Sequence, residues 1–297
     1  MGIIRSNAAF YLDARSRGVA FGRTLTLGRQ RLYVSRAELG ELAARYRPDL
    51  RDQFADLHVG EPADAFLRRF LDVRELIALD HSEYEGATLT HDLNQPLPMT
   101  LHEQFDTVID SGTLEHIFNL PVAIASCMQF VKRGGTLFLS APANNLCGHG
   151  FYQFSPELWF RLFNNANGFT LTRLVLVTHP FPGAELSPRQ TWYEVSDPAD
   201  LGVRVPLITP TPAFLMVEAR RVDVVPVLTM PPLQSDYVTR WSTGATQRAA
   251  PVTPGFAQRL SRAVYRRLPG PWQNFVAGWY QRAVWSTLRN RRAFRRL

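Results

Sequence analysis

The stretch from Phe105 to Asn145, FDTVIDSGTLEHIFNLPVAIASCMQFVKRGGTLFLSAPANN, limits the folds open to this chain more than any other. It holds two short apolar runs, at 105–109 and 136–140. Between them lie a polar loop, a helix-patterned segment at 121–132 and the Gly134-Gly135 turn. Two buried strands joined through a helix make a βαβ unit with parallel strands. Polar residues cluster just after each strand, where open α/β sheets receive their ligands.

The rest of the chain repeats that alternation. A helix is expected within 7–22, a strand at 23–27 (RTLTL), and a helix from Ser35, whose Glu38 completes a capping box. A further helix at 62–71 precedes strands at 75–79 and 87–91, closed by Asp80 and Asp92. Ser155-Pro156-Glu157 is a helix start with proline at the first helical position. Strands at 170–178 and 213–222 follow, with no helix between them but a long proline-rich segment at 180–212. The pattern predicts an α/β fold with a doubly wound, mostly parallel sheet whose last two strands pair like a hairpin.

Three regions are expected: a sheet domain at 1–225, a proline-rich linker at 226–253 and a basic amphipathic helical tail at 254–297. Hydrophobic residues make up 45% of the 297 and charged residues 20%, enough for a substantial core. Cys127 and Cys147 form no CxxC pair, so neither a disulfide framework nor a cysteine zinc site is indicated. No pair among His81, His91, His116, His149 and Cys147 has zinc-like spacing, and no metal is expected.

The net charge of +7 is uneven. Residues 1–236 carry a net −5, and twelve arginines follow Asp236, the last acidic residue. The basic balance therefore belongs to the tail, and nucleic acid is not expected as a partner. Arginines beside aromatic positions such as Trp272, Phe275 and Trp279 suit an anionic membrane surface or a docking protein partner. No long apolar run opens the chain, so the cytoplasm is the expected location, with peripheral membrane association through the tail.

Residues 105–169 resemble class I S-adenosylmethionine-dependent methyltransferases, especially the type-11/type-12 small-molecule group. The likeness lies in FDTVID followed by SGTLEHI, in Lys132-Arg133-Gly134-Gly135, in Ser140-Ala-Pro-Ala-Asn144 and in FSPELWFRLFNNANGF. It implies a seven-stranded Rossmann-like sheet with the cofactor, S-adenosylmethionine, over the carboxyl ends of the first strands. On that reading Asp80 would accept from the ribose hydroxyls, and Asp92 or the Leu93 backbone would meet the adenine edge. Asp110, Ser111 and Gly112 would line the methionine side.

The turn after the first strand departs from the family. Where a glycine-rich loop gives the ligand close backbone approach, this chain has Gly28-Arg29-Gln30. Either Arg29 meets the cofactor carboxylate in a reshaped pocket, or the cofactor site is damaged and the fold is a non-catalytic scaffold. The reaction implied is methyl transfer to an oxygen or nitrogen of a small-molecule or glycan-type acceptor. It needs little beyond an in-line pose and a base. His149, between Gly148 and Gly150, and His116 are the candidates for that base. Asn144, Asn145, Tyr152 and Gln153 are the candidate acceptor contacts.

Overall fold

The computed structural model describes residues 2–51, 53–180, 187, 189–243, 265 and 268–297. The apolar and arginine positions expected at 256–264 lie outside them. So do 244–253, the end of the linker, and most of 180–188.

The architecture is three-layered, α/β/α. The strands are β1 (Gly2–Ile4), β2 (Arg23–Leu27), β3 (Arg31–Tyr33), β4 (Glu75–Asp80), β5 (Leu89–Thr90), β6 (Phe105–Ser111), β7 (Val131–Asn144), β8 (Phe169–Thr178), β9 (Thr191–Val195), β10 (Ala213–Arg221) and β11 (Phe294–Arg296). The main sheet runs β5-β4-β2-β6-β7-β10-β8-β9-β11, and β1 pairs separately with β3. Strands β5, β4, β2, β6 and β7 are parallel, while β10 inserts antiparallel between β7 and β8. The chain winds outward from β2 to β5, then returns to β6 on the other side of β2. That puts the switch point of the sheet between β2 and β6, where open α/β sheets leave a crevice.

Alternation along the strands assigns each residue to a face. Leu137 and Leu139 of β7 join Trp159 and Phe163 in one core, beneath α4 (Leu120–Phe130) and α5 (Pro156–Leu162). Phe138, between them, faces the other way. It meets Phe10 and Tyr11 of α1 (Arg5–Ser16), in the core that also holds α2 (Arg36–Tyr46) and α3 (Asp64–Leu71). Helix α2 starts where the capping box predicts. Glu38 N donates to Ser35 Oγ at 3.4 Å, and Ser35 N donates back to Glu38 Oε2 at 2.8 Å.

The buried Arg221, at the end of β10, finishes α4. Its Nη1 donates to the carbonyls of Val131 (2.6 Å), Met128 (3.3 Å) and Gln129 (3.4 Å), acceptors that a helix end leaves without partners. Arg221→Met keeps the bulk but strands those carbonyls in the interior. The expected cost is about 2–3 kcal/mol in urea unfolding, and a loss within experimental error would refute the capping role.

Two features differ from the sequence reading. The sheet has nine strands, because Thr191–Val195 in the proline-rich segment forms β9 and Phe294–Arg296 closes the edge as β11. Ser196 N donates to Ala293 O at 3.0 Å, Leu297 N to Trp192 O at 2.9 Å, and Phe294 is buried. A domain division at residue 225 therefore separates in sequence what the sheet joins in space. Of the expected tail, α7 (Ser235–Thr243) lies before it, and α8 (Gly270–Tyr280) presents exposed Trp272, Phe275, Trp279 and Tyr280. No helix among the described residues is long and apolar enough to cross a membrane.

Candidate active site

Each parallel strand around the switch point ends in a loop carrying polar groups. After β6 the chain turns at Gly112, whose φ of +96° is a conformation that favours glycine. Asp110, fully buried, holds this loop together: its carboxylate accepts from Thr113 N at 2.8 Å and Leu114 N at 3.4 Å. Burial, and then the neighbouring Glu115 carboxylate, push the Asp110 carboxyl up to about 7. Asp110 thus orders the loop rather than facing a ligand. Ser111 is tied to the helical layer by its hydroxyl, 2.9 Å from Tyr11 Oη.

Glu115 is also completely buried, and neither of its carboxylate oxygens has a hydrogen-bond partner among the described residues. Its nearest ionisable neighbour is His149, with Nε2 3.3 Å from Oε1. The Glu115 backbone carbonyl accepts from Phe151 N (2.8 Å) and Tyr152 N (3.3 Å), which holds the loop after β7 in place. Gly150 is required in that contact, because a Cβ there would lie 2.8 Å from Glu115 O and 3.0 Å from its Cγ. The His116 ring stands 5.5 Å from that of His149. A cavity of about 340 Å³ opens over these groups, lined by Ser111, Gly112, Glu115, His116, Ser140 and His149.

This cavity, rather than the largest one, is the candidate site. A space of about 550 Å³ bounded by Arg5, Arg45, Arg173 and Trp192 shares no residue with it. There, Arg5 and Arg173 are already paired with Glu41 and Asp13. The smaller cavity lies over the carboxyl ends of β6 and β7, beside the switch point, and holds the cluster of titratable groups.

The predicted residues divide into two groups. Ser111, Gly112, His116 and His149 come together. Asp80, at the end of β4, accepts from His81 N at 2.7 Å and does not line that cavity. Asp92 accepts from Asn94 N and Nδ2, both at 2.9 Å, and the Asn94 backbone N–H chiefly holds it below the usual carboxylate value. The Leu93 side chain belongs to the core.

Arg29 does not point into the cavity. Its Nη2 is 3.4 Å from Asp64 Oδ1 on α3, and its guanidinium lies against Gly86. Gln30 turns inward, donating from Nε2 to Leu27 O at 2.6 Å and Gly28 O at 3.3 Å. Gly28, at φ +68°, donates its N–H to Leu79 O at 2.6 Å. The turn is thus sealed by its own hydrogen bonds, and the chain enters β3 before any helix begins.

The acceptor-side candidates are engaged within the fold. Asn144 Nδ2 donates to Leu207 O at 3.2 Å, and Asn145 Nδ2 to Thr211 O at 3.1 Å. Tyr152 Oη donates to Phe118 O at 2.8 Å, and Gln153 Oε1 accepts from Leu146 N at 3.0 Å. These residues shape the loop that carries His149. The cavity's remaining wall was not foreseen: Gly2, Ile4, Asn7, Tyr33 and Phe214 come from the β1–β3 pair, α1 and β10. Its one sequence signal is the alternating RLY of β3, too short to identify a pair.

No family model matches the sequence, and no curated protein matches it. Solved structures do. A Thermotoga maritima S-adenosylmethionine-dependent methyltransferase, described as a possible histamine N-methyltransferase, is 17% identical with a TM-score of 0.40. The match covers 73% of this chain and 90% of that one. The Burkholderia thailandensis 1,6-didemethyltoxoflavin-N1-methyltransferase, with bound S-adenosylhomocysteine, is 15% identical at a TM-score of 0.37, covering 74% and 78%. The branched-chain polyamine synthase of Thermus thermophilus is 16% identical at 0.36, covering 80% and 62%.

Proposed function

We propose that this chain is an S-adenosylmethionine-dependent methyltransferase acting on an oxygen or nitrogen of a small-molecule or glycan-type acceptor. One observation carries the reading. The cavity over the ends of β6 and β7 sets Ser111 and Gly112, on the side that the motif resemblance gives to the cofactor, against Glu115, His116 and His149.

When bound, S-adenosylmethionine supplies a methyl group activated on a positively charged sulfur. The residues that fit it lie at the ends of β4 and β6. Asp80 accepts one backbone hydrogen bond at Oδ1, leaving Oδ2 for a ribose hydroxyl. Gly112 presents no side chain where close approach is needed, and a Cβ there would meet Glu115 Oε1 at 3.2 Å. The turn after β2 contributes little, because Gln30 Nε2 donates to Leu27 O and Gly28 O, and the Gly28 N–H donates to Leu79 O. On the acceptor side, His149 Nε2 can take a proton from a hydroxyl or amine. Glu115 at 3.3 Å stabilises the imidazolium that results. The largely enclosed position of Glu115 strengthens that pairing by keeping water from it.

Calorimetric titration with S-adenosylhomocysteine tests the proposal. Binding is expected, and Asp80→Ala should weaken it about tenfold or more through loss of charge-assisted hydrogen bonds. Absence of heat and of thermal stabilisation at millimolar ligand overturns the reading. Unchanged affinity in Asp80→Ala overturns the assignment of that residue.

A second reading, a scaffold that docks at an anionic membrane surface or an enzyme assembly, draws on α8. Its Trp272, Phe275 and Trp279 are exposed, and no acidic residue follows Asp236. Co-sedimentation of the full chain with phosphatidylserine vesicles at low salt tests the membrane form. Failure to pellet removes it.

A further inference from the structure

We propose that Glu115, His116 and His149 form a binding site for one divalent first-row transition metal ion, open toward the cavity. One ligand atom from each lies within 4.8 Å of the other two. Sequence spacing could not reveal this, because Glu115 and His116 leave β6 while His149 arrives on the loop after β7. The main-chain bonds from Phe151 and Tyr152 to the Glu115 carbonyl bring the two loops together.

A second, independent observation is the Glu115 carboxylate itself. It is completely buried, both oxygens lack a hydrogen-bond donor, and its Oε1 faces the cavity past Gly112. Buried carboxylates ordinarily accept several hydrogen bonds or bind a cation. One partly exposed imidazole 3.3 Å from one oxygen is a thin substitute. That distance already suits two ligands sharing an ion at about 2.0–2.2 Å from each. His116 is exposed, and one of its ring nitrogens lies within 4.8 Å of the ligand atoms of Glu115 and His149.

The donor set decides the class of ion. Two imidazole nitrogens and one carboxylate suit Zn²⁺, Fe²⁺, Mn²⁺ or Co²⁺. They do not suit Mg²⁺ or Ca²⁺, which prefer all-oxygen surroundings. Three protein ligands leave positions open on the cavity side, the pattern of a site that takes a substrate atom. With the ion bound, His149 Nε2 would serve as a ligand in place of its role as proton acceptor, and an acceptor oxygen or nitrogen held there would ionise more readily and release its proton to bulk water. This deepens the methyltransferase reading and rests on it only for that last step. The metal site itself stands on the three side chains.

Untagged protein stripped with chelator is titrated with Zn²⁺ by calorimetry, and with Co²⁺ by visible absorption. One equivalent should bind, with the Co²⁺ spectrum showing imidazole coordination. His116→Ala and His149→Ala, both at exposed positions, should each weaken Zn²⁺ at least about tenfold, as loss of a ligand must exceed the loss of an outer-shell partner. Their far-ultraviolet circular dichroism should match the parent, so the test does not depend on Glu115→Gln folding. Absence of Zn²⁺ binding, or binding that neither variant alters, overturns the proposal. S-adenosylhomocysteine titration of the same preparations separates the two readings. Zn²⁺ binding without nucleoside binding upholds the metal site and sinks the methyltransferase; the reverse sinks the metal site alone.

Discussion

Phe138→Ala is expected to lower the unfolding free energy by about 3–5 kcal/mol, the range for deleting a buried aromatic ring. Phe138 sits in mid-β7, fully buried, and is the point where α1 meets the sheet. Its ring stacks on Phe21 at 5.5 Å and lies edge-on to Phe10 at 6.0 Å and Tyr11 at 5.2 Å. All three rings meet at Phe138, so its removal takes a contact from each of them at once. Phe138→Leu, which keeps much of the volume, should lose far less. Urea unfolding followed by tryptophan fluorescence measures both, and a loss below about 1 kcal/mol for alanine would contradict this packing. The damage reaches the site as well, because Tyr11 carries the hydrogen bond to Ser111.

His149→Ala is expected to reduce methyl transfer by about 10²- to 10⁴-fold, the usual contribution of a positioned proton acceptor. Affinity for S-adenosylhomocysteine should be unchanged, since His149 lies on the acceptor side of the cavity. The His149 side chain is 36% exposed but lies 3.3 Å from the buried Glu115 carboxylate, so its loss is expected to cost about 1–3 kcal/mol of stability. The measurement uses labelled cofactor and an acceptor found by screening. A variant that transfers at the parent rate removes His149 from the mechanism. One that also loses the nucleoside would relocate it to the cofactor side.

Much of the fold was legible because its signals are local. The RTLTL, ELIAL and FDTVID runs are short, apolar and bounded by turn residues. The Ser35–Glu38 box and the Ser155-Pro156 start mark helix ends through side chains that act within one turn. Strands β9 and β11 were not legible. TWYEV lies among prolines and becomes a strand by pairing with β8, and FRR, three residues of mostly charged sequence, becomes one by pairing with β9.

The site was half legible for the same reason. His116 and His149 were visible as residues, but their meeting at Glu115 depends on two loops joined through main-chain atoms. Arg29 was misdirected in the sequence reading because its partner, Asp64, comes from a separate helix. Asn144, Asn145, Tyr152 and Gln153 looked available because polar loop residues usually are. Here the main-chain carbonyls of Leu207, Thr211 and Phe118 and the amide of Leu146 consume them.

The link between the two site loops passes through the carbonyl of Glu115 and the amides of Phe151 and Tyr152, groups that every residue but proline can supply. The spacing between the reactive side chains is therefore insulated from the identity of the residues at 151 and 152. Phe118 and Phe151, both exposed at 6.2 Å from one another, could be exchanged to suit a differently shaped acceptor while Glu115 and His149 keep their separation. Selectivity and reactivity are written in different parts of the same loop, so one can diverge without eroding the other.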